Sequence, residues 1–292
     1  MKILLIGATG QLGGDLLRNN PGHEILSPGR ESLDLQNTAQ LEKSIREIKP
    51  EIVINCAAFH NVPLCEEQPG KAFLVNCVAV GSLATLCRAH GSRLVTFSTD
   101  YVFDGEKKTP YTELDPPRPL QTYGITRAAG EYAAFSAAPE TTIVIRTCGL
   151  YGRSISRSKA GNFVDNRVAD AIGKKALEIA SDQVISPTST YDLSKAVLDL
   201  IIHPDGTPGI YHLVNEGECS WFELTKAIYE ILGRDVDVKP IDRKGLSGNM
   251  RRPRYSVLAN SRAKMLGISL PSWRNALERY LHAQYPINIE RT

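Results

Sequence analysis

A hydroxyl, a phenol and a guanidinium carry the chemistry of this chain: Thr99 in the run Ser98–Gly105 (STDYVFDG), then Tyr123 and Arg127 in Tyr123–Glu131 (YGITRAAGE). Reducing a ketone with hydride requires a proton for its oxygen, and that oxygen must be held while it arrives. A phenol can deliver the proton and a Ser or Thr hydroxyl can do the holding. A free phenol titrates near ~10, too high for easy exchange at neutral pH. A cation about 5 Å away, at an effective dielectric of roughly 20, favours the phenolate by roughly 3 kcal/mol. Tyr123 and Arg127 are four positions apart, so a helix places them on one face. Spacing alone leaves two readings: a proton-donating pair, or an exposed tyrosine stacked on a neighbouring arginine.

Such groups act only if the fold holds a hydride source beside them, and the N-terminus has the pattern for one. Lys2–Ile6 is an apolar run of strand length, suited to a parallel strand buried on both faces. Gly7, Gly10 and Gly13 follow at spacing G-x-x-G-x-x-G, with Gln11 and Leu12 between them, and Gln11–Arg18 reads as a helix. In a strand–turn–helix unit the first glycine permits the turn, the second admits a pyrophosphate, and the third lets helix and strand pack closely. The helix N-terminus then offers free N–H groups to the phosphates. A second strand at about Glu24–Ser27 should end beside the adenosine ribose, where Ser27-Pro28-Gly29-Arg30 stands in place of an acid. Arg30 either pairs with a 2′-phosphate, which favours NADPH over NADH, or is a solvated loop arginine.

Further strands are expected at Glu51–Asn55, Arg93–Ser98 and Thr142–Arg146, with helices at Ala39–Ile48 (Thr38 as N-cap), Lys71–Ala89 and Tyr123–Ala134. Strands alternating with helices predict a Rossmann-type α/β fold, a doubly wound parallel sheet whose ligands bind beyond the C-terminal strand ends. Thr99 falls at such an end. So do the small residues Cys56-Ala57-Ala58, against which a cofactor can lie. Beyond about Arg146 the alternation fades into strand candidates at Leu177–Ala180 and Gly209–Leu213. Helices are expected at Phe163–Ile172, Tyr191–Ile202, Trp221–Leu232 and Trp273–Ala283. The division expected is a dinucleotide-binding domain over 1–150 and a mostly substrate-binding lobe over 151–292, some segments of which return to the sheet.

A chain of 292 residues with 42% hydrophobic content can bury a full core. The formal charge of +2 gives no reason to expect nucleic acid or a membrane surface, and no apolar run of the sequence approaches a membrane span. The six cysteines form no C-x-x-C pair and have no histidine partners at zinc spacing, which predicts reduced thiols in a cytoplasmic protein and no metal site. Arg251-Arg252-Pro253-Arg254 is either a grip for a nucleotide diphosphate, with Arg254 as the residue expected to contact it, or a solvated basic loop.

The runs Gly7–Gly13 (GATGQLG), Asn55–Ala58 (NCAA), Ser98–Gly105, Tyr123–Glu131, Arg146-Thr147, Tyr151-Gly152, Asn162-Phe163-Val164 and Ser186-Pro187-Thr188 occur in this order along nearly the whole chain. Together they resemble the dTDP-4-dehydrorhamnose reductase family of extended short-chain dehydrogenases/reductases. The resemblance implies NADPH-linked reduction of the 4-keto group of a dTDP-linked 6-deoxysugar, on the way to dTDP-L-rhamnose. It casts Thr99 as holder of the substrate oxygen, Tyr123 as proton donor, and Arg127 in the position of a lysine that binds the nicotinamide ribose. It places Asp34 and Leu35 near the adenine, and Tyr101, His60 and Asn162 at the sugar. A nucleotide-sugar is the implied partner, and a homodimer is left open.

The chain departs from that family at four positions. Arg127 keeps the lysine's charge and can donate to ribose hydroxyls, yet it does not readily lose a proton. His60 replaces a Thr, Pro63 an Asp and Gly149 a Trp. His60 is either a titratable group near the sugar or a locally bonded loop histidine. These changes point to a different sugar or to lost activity. The second functional reading is therefore an NADP-binding regulatory or scaffolding protein, with a precedent in the regulatory subunit of methionine adenosyltransferase.

Overall fold

Runs of β-branched and apolar residues form one six-stranded parallel sheet: β1 (Lys2–Ile6), β2 (Glu24–Leu26), β3 (Ile52–Asn55), β4 (Arg93–Thr99), β5 (Thr142–Thr147) and β6 (Gly209–His212). The order across the sheet is β6-β5-β4-β3-β1-β2, and every neighbouring pair is parallel. The computed structural model describes residues 1–154, 161–173, 176–247 and 250–285. Ile3 to Ile6, all of β3 and all of β5 are buried, as strands covered by helices on both faces must be. Leu12 and Leu16 pack with Leu193 and Val197 on one face of the sheet. Leu41, Ile45, Val80, Leu83 and Ala134 fill the other.

Because β2 and β3 lie on opposite sides of β1, the chain reverses direction across the sheet there. This switch point opens a crevice at the C-terminal strand ends. Gly7 turns out of β1 with a φ of 86°, and a Cβ on it would meet the Ala57 nitrogen at 2.9 Å. A Cβ on Gly13 would collide with the Gly7 carbonyl, so the helix Gln11–Arg18 can sit this close only with glycine there.

A third hydrophobic cluster lies under the C-terminal part, where Tyr151, Val164, Leu224, Ile228, Leu277 and Leu281 pack together. It draws on the helices Phe163–Asp170, Trp221–Ile231 and Trp273–Gln284. A two-stranded parallel pair, Ala176–Ala180 with Asp237–Ile241, belongs to the same part. Val102, Phe103, Tyr111, Cys148, Ile185 and Leu258 form a further cluster between this lobe and the sheet ends.

The elements differ from expectation in instructive places. The cap of helix Thr38–Ile48 is Asn37, whose side chain accepts from the Gln40 N–H, and not Thr38. The strand expected at Gly209–Leu213 forms over Gly209–His212, one residue shorter, and pairs with β5 at the edge of the main sheet. Helix Phe163–Asp170 stops short of Ile172, which is exposed. The predicted helix Lys71–Ala89 begins at Pro69 and carries a π turn at Leu74–Val78. Pro69–Ala89 is long and apolar enough to cross a membrane by composition, a length that no apolar run of the sequence suggested. In the fold it buries Ala72, Val75, Asn76, Val80 and Leu83.

Candidate active site

Thr99 is the last residue of β4, and Tyr123 is the second residue of helix Thr122–Ala137. The approach of these elements is set by glycine: a Cβ on Gly124 would strike the Tyr101 carbonyl, so the helix start abuts the 3-10 turn Asp100–Val102. Two side chains cap that helix start. Gln121 accepts from the Gly124 N–H at 2.8 Å, and Glu66 accepts from the Thr122 N–H at 2.6 Å and from its hydroxyl at 2.8 Å. Further along, a Cβ on Gly130 would collide with the Asn76 carbonyl in the π turn. Asn76 also donates to the Thr126 hydroxyl at 3.1 Å and to the Phe59 carbonyl at 2.9 Å. The widened turn thus ties the tyrosine helix to the loop after β3, the kind of local use in which π turns recur.

Within this frame Thr99 and Tyr123 are brought together, close enough for the Thr99 hydroxyl to lower the phenol's pKa. Tyr101 meets Tyr123 edge-on, ring centroids 6.2 Å apart. Arg127, one turn after Tyr123, is buried and lowers the phenol's pKa by its charge. Burial is the larger effect, and the net pKa lies above the ordinary value. Spacing along the sequence displays the cation four residues on, whereas the desolvation exists only in the fold.

Behind Thr99 lies a group outside the expected set, Asp100. Its carboxylate is buried, accepting from the Thr99 hydroxyl at 2.9 Å and from the Ser256 hydroxyl at 2.6 Å. Burial pushes its pKa up, opposed by bonds from Ser256, Cys148 and Thr99. The signal was present in STDYVFDG, but only the fold shows that this acid turns inward. The tyrosine helix is also anchored by the buried pair Glu131–Arg146, joined by two bonds of 2.9 and 2.7 Å.

The crevice has the features of a dinucleotide cradle. The buried Nε and Nη1 of Arg127 have no hydrogen-bond partner in the chain, and neither has the buried Nε2 of Gln11. Unmet donors on Gln11, at the glycine turn and helix N-terminus, and on Arg127, one turn after Tyr123, fit the phosphates and hydroxyls of a nicotinamide dinucleotide. Ala57 and Ala58 line the end of β3, while Leu12 is buried in the core. Leu35 is also a core residue. Asp34 accepts from the Gln36 N–H at 2.9 Å, and that bond is the largest cause of its lowered pKa. Arg30 is exposed and pairs with Asp34 at 3.2 Å, lining a surface hollow with Gln36, Thr38 and Gln40.

The expected sugar-side residues separate. Tyr101 faces the site, and His60 sits half-buried in the loop before helix Val62–Glu67. Asn162 is used within the lobe: it caps helix Phe163–Asp170 and donates to Gly152, Asp165 and Tyr280. Arg254 turns away toward Asp242 at 3.4 Å and Asp182 at 3.9 Å. Its neighbour Arg252 takes the inward position, Nη1 at 3.4 Å from the Tyr101 hydroxyl and Nε buried without a partner. Regular alternation would put residues two apart on one side; the strand Met250–Arg251 ends before Arg252 and the chain bends at Arg254, so the two side chains diverge. Gly149 has a φ of 56° and packs against Pro187, so a larger residue would be strained there. Among the described residues, no three His, Cys, Asp or Glu side chains converge as a metal site would require.

The fold and this constellation define a Rossmann-type α/β protein with its polar cluster at the C-terminal strand ends. Residues 1–285 match the family model described as RmlD substrate binding domain. The chain is 37% identical to the spore coat polysaccharide biosynthesis protein SpsK of Bacillus subtilis, over 96% of each chain. It is 36% identical to a dTDP-4-dehydrorhamnose reductase of Streptomyces griseus, over 94% of this chain and 91% of that one. It superposes with a TM-score of 0.90 on a dTDP-4-dehydrorhamnose reductase of Bacillus anthracis solved in complex with NADP, at 31% identity over 97% and 99% of the two chains. The chain belongs to the RmlD family, that of the dTDP-4-dehydrorhamnose reductases.

Proposed function

We propose that this chain reduces the 4-keto group of a nucleotide-linked 6-deoxysugar with NADPH, as a reductase of the dTDP-4-dehydrorhamnose type. The observation that carries the reading is Tyr123 beside Thr99, one helical turn before a buried Arg127 whose Nε and Nη1 lack partners. Bound nicotinamide would supply the hydride. Tyr123 gives its proton to the ketone oxygen and Thr99 holds that oxygen in line. Arg127 donates to ribose hydroxyls and offsets the charge on the phenolate; being a guanidinium, it does not carry the proton itself. Arg252, beside Tyr101, is the cation we assign to the substrate's diphosphate.

The test is NADPH consumption with dTDP-4-dehydro-L-rhamnose by wild type, Tyr123→Phe and Arg127→Lys. Turnover by wild type, reduced roughly 10²- to 10⁴-fold in Tyr123→Phe, is the expected result. A silent wild type that gains turnover in Arg127→Lys would instead support the regulatory or scaffolding reading.

A further inference from the structure

The Thr99 hydroxyl has one proton and two lone pairs, and the fold makes claims on all of them. The Tyr101 N–H donates to Thr99 Oγ1 at 3.2 Å, the Thr99 hydroxyl lies 2.9 Å from Asp100 Oδ1, and the Tyr123 phenol is its third neighbour. An ionised Asp100 can only accept, so it draws the Thr99 proton to itself and leaves Thr99 with nothing to donate to a ketone oxygen. A protonated Asp100 can donate to Thr99 instead, which frees the threonine's proton to point outward.

We propose, resting on the reductase reading above, that Asp100 is a positioning residue whose protonation sets the direction of the Thr99 hydroxyl: toward the substrate's oxygen when the carboxyl is neutral, away from it when ionised. Asp100 keeps its proton throughout and supplies a hydrogen bond only. The groups that face it fit this role. Ser256 comes from the segment after the RRPR run and bonds Oδ2 at 2.6 Å, and Cys148 approaches from the end of β5. Tyr101 and Tyr123 approach from their own turns. Arg127 and Arg252 act on those two phenols, and no cation is among the groups that bond the carboxylate. With no paired cation to hold it ionised and little water to solvate it, the carboxyl has an incentive to stay neutral, in keeping with its raised pKa.

Two measurements test this. The first is the pH profile of kcat/KM for wild type, Asp100→Asn and Ser256→Ala, with folding checked by circular dichroism. An asparagine amide can donate to Thr99 at every pH. Wild type should lose activity tenfold per pH unit above the carboxyl's titration, whereas Asp100→Asn should stay level through that range and within about tenfold of wild type at neutral pH. Ser256→Ala removes a bond that favours the carboxylate and should move the alkaline limb upward. A limb of unchanged midpoint in both variants, with activity merely scaled down, would mean that Asp100 is only structural and would overturn the proposal. The second is the infrared carboxyl band of Asp100, taken as wild type minus Asp100→Asn, which needs no turnover. If no ketosugar is consumed by wild type, the reductase reading fails and the infrared titration alone decides: a carboxylate ionised across the neutral range sinks the proposal, while a neutral carboxyl that titrates there sustains it.

Discussion

Arg252 and Arg254 are two residues apart and chemically identical, yet the fold gives them opposite tasks. Arg254 is exposed and paired with Asp242 and Asp182. Arg252 has a buried Nε without a partner and an Nη1 at the Tyr101 hydroxyl. Hydrogen bonds to a charged group contribute roughly 1.5–3 kcal/mol, which corresponds to a ten- to hundredfold change in affinity. Arg252→Ala should therefore raise KM for the nucleotide-sugar about ten- to hundredfold and leave NADPH affinity unchanged, while Arg254→Ala should alter neither. Steady-state kinetics with titration of dTDP by calorimetry would check this, and an equal effect of the two substitutions would return the assignment to a diffuse basic surface. The sequence displayed both arginines side by side. Which one points inward depends on the bend of a segment that packs against Tyr101, about 150 residues away along the chain.

The helix that carries Tyr123 depends on what lies behind it. Arg146 of β5 and Glu131 of the helix form a buried pair with two hydrogen bonds, and the Arg146 guanidinium lies 5.1 Å above the Phe103 ring. Removing one partner strands the other charge away from water, a loss of roughly 3–5 kcal/mol, against a total stability of about 5–15 kcal/mol for a typical domain. Glu131→Ala should thus lower the urea midpoint sharply. The double substitution of Glu131 and Arg146 by apolar residues of similar volume should recover much of the loss. A single-variant loss below about 1 kcal/mol would show that the pair is solvated and does not anchor the helix. Much of this element-level frame was legible: β1, the glycine turn, β4 and the tyrosine helix lie where period, glycine spacing and β-branched runs put them. The π turn at Leu74–Val78 was not legible. It follows from Asn76 reaching across to Thr126 and Phe59, contacts that no local periodicity encodes. The inward acid Asp100 was hidden for the same reason, since its partner Ser256 is far along the chain.

At the scale of the whole molecule, the edge strand β6 joins the sheet to the C-terminal lobe, and His212 sits at that joint. Its backbone N–H donates to Glu113 at 3.2 Å, its Nδ1 lies 3.1 Å from the Tyr111 carbonyl, and its ring meets Phe103 edge-on. Burial, and then the nearby Arg146 charge, lower its pKa to about 3. An unfolded chain protonates this ring near ~6.5. Below that pH the unfolded state binds the extra proton and the folded state does not, so stability falls as pH falls, at about 1.4 kcal/mol per pH unit. The contribution is complete above about 6.5 and is lost progressively until the folded ring itself protonates at about 3. Between pH 6.5 and 5 the expected loss from this residue is about 2 kcal/mol. Urea unfolding of wild type and His212→Gln at those two pH values isolates it, because every other titrating group is common to both chains. The glutamine amide can still donate to the Tyr111 carbonyl but takes no proton, so the variant should lose about 2 kcal/mol less than wild type over the same interval. Equal losses would mean that the ring protonates within the folded joint, and that the seam between sheet and lobe opens to water before the rest of the protein unfolds.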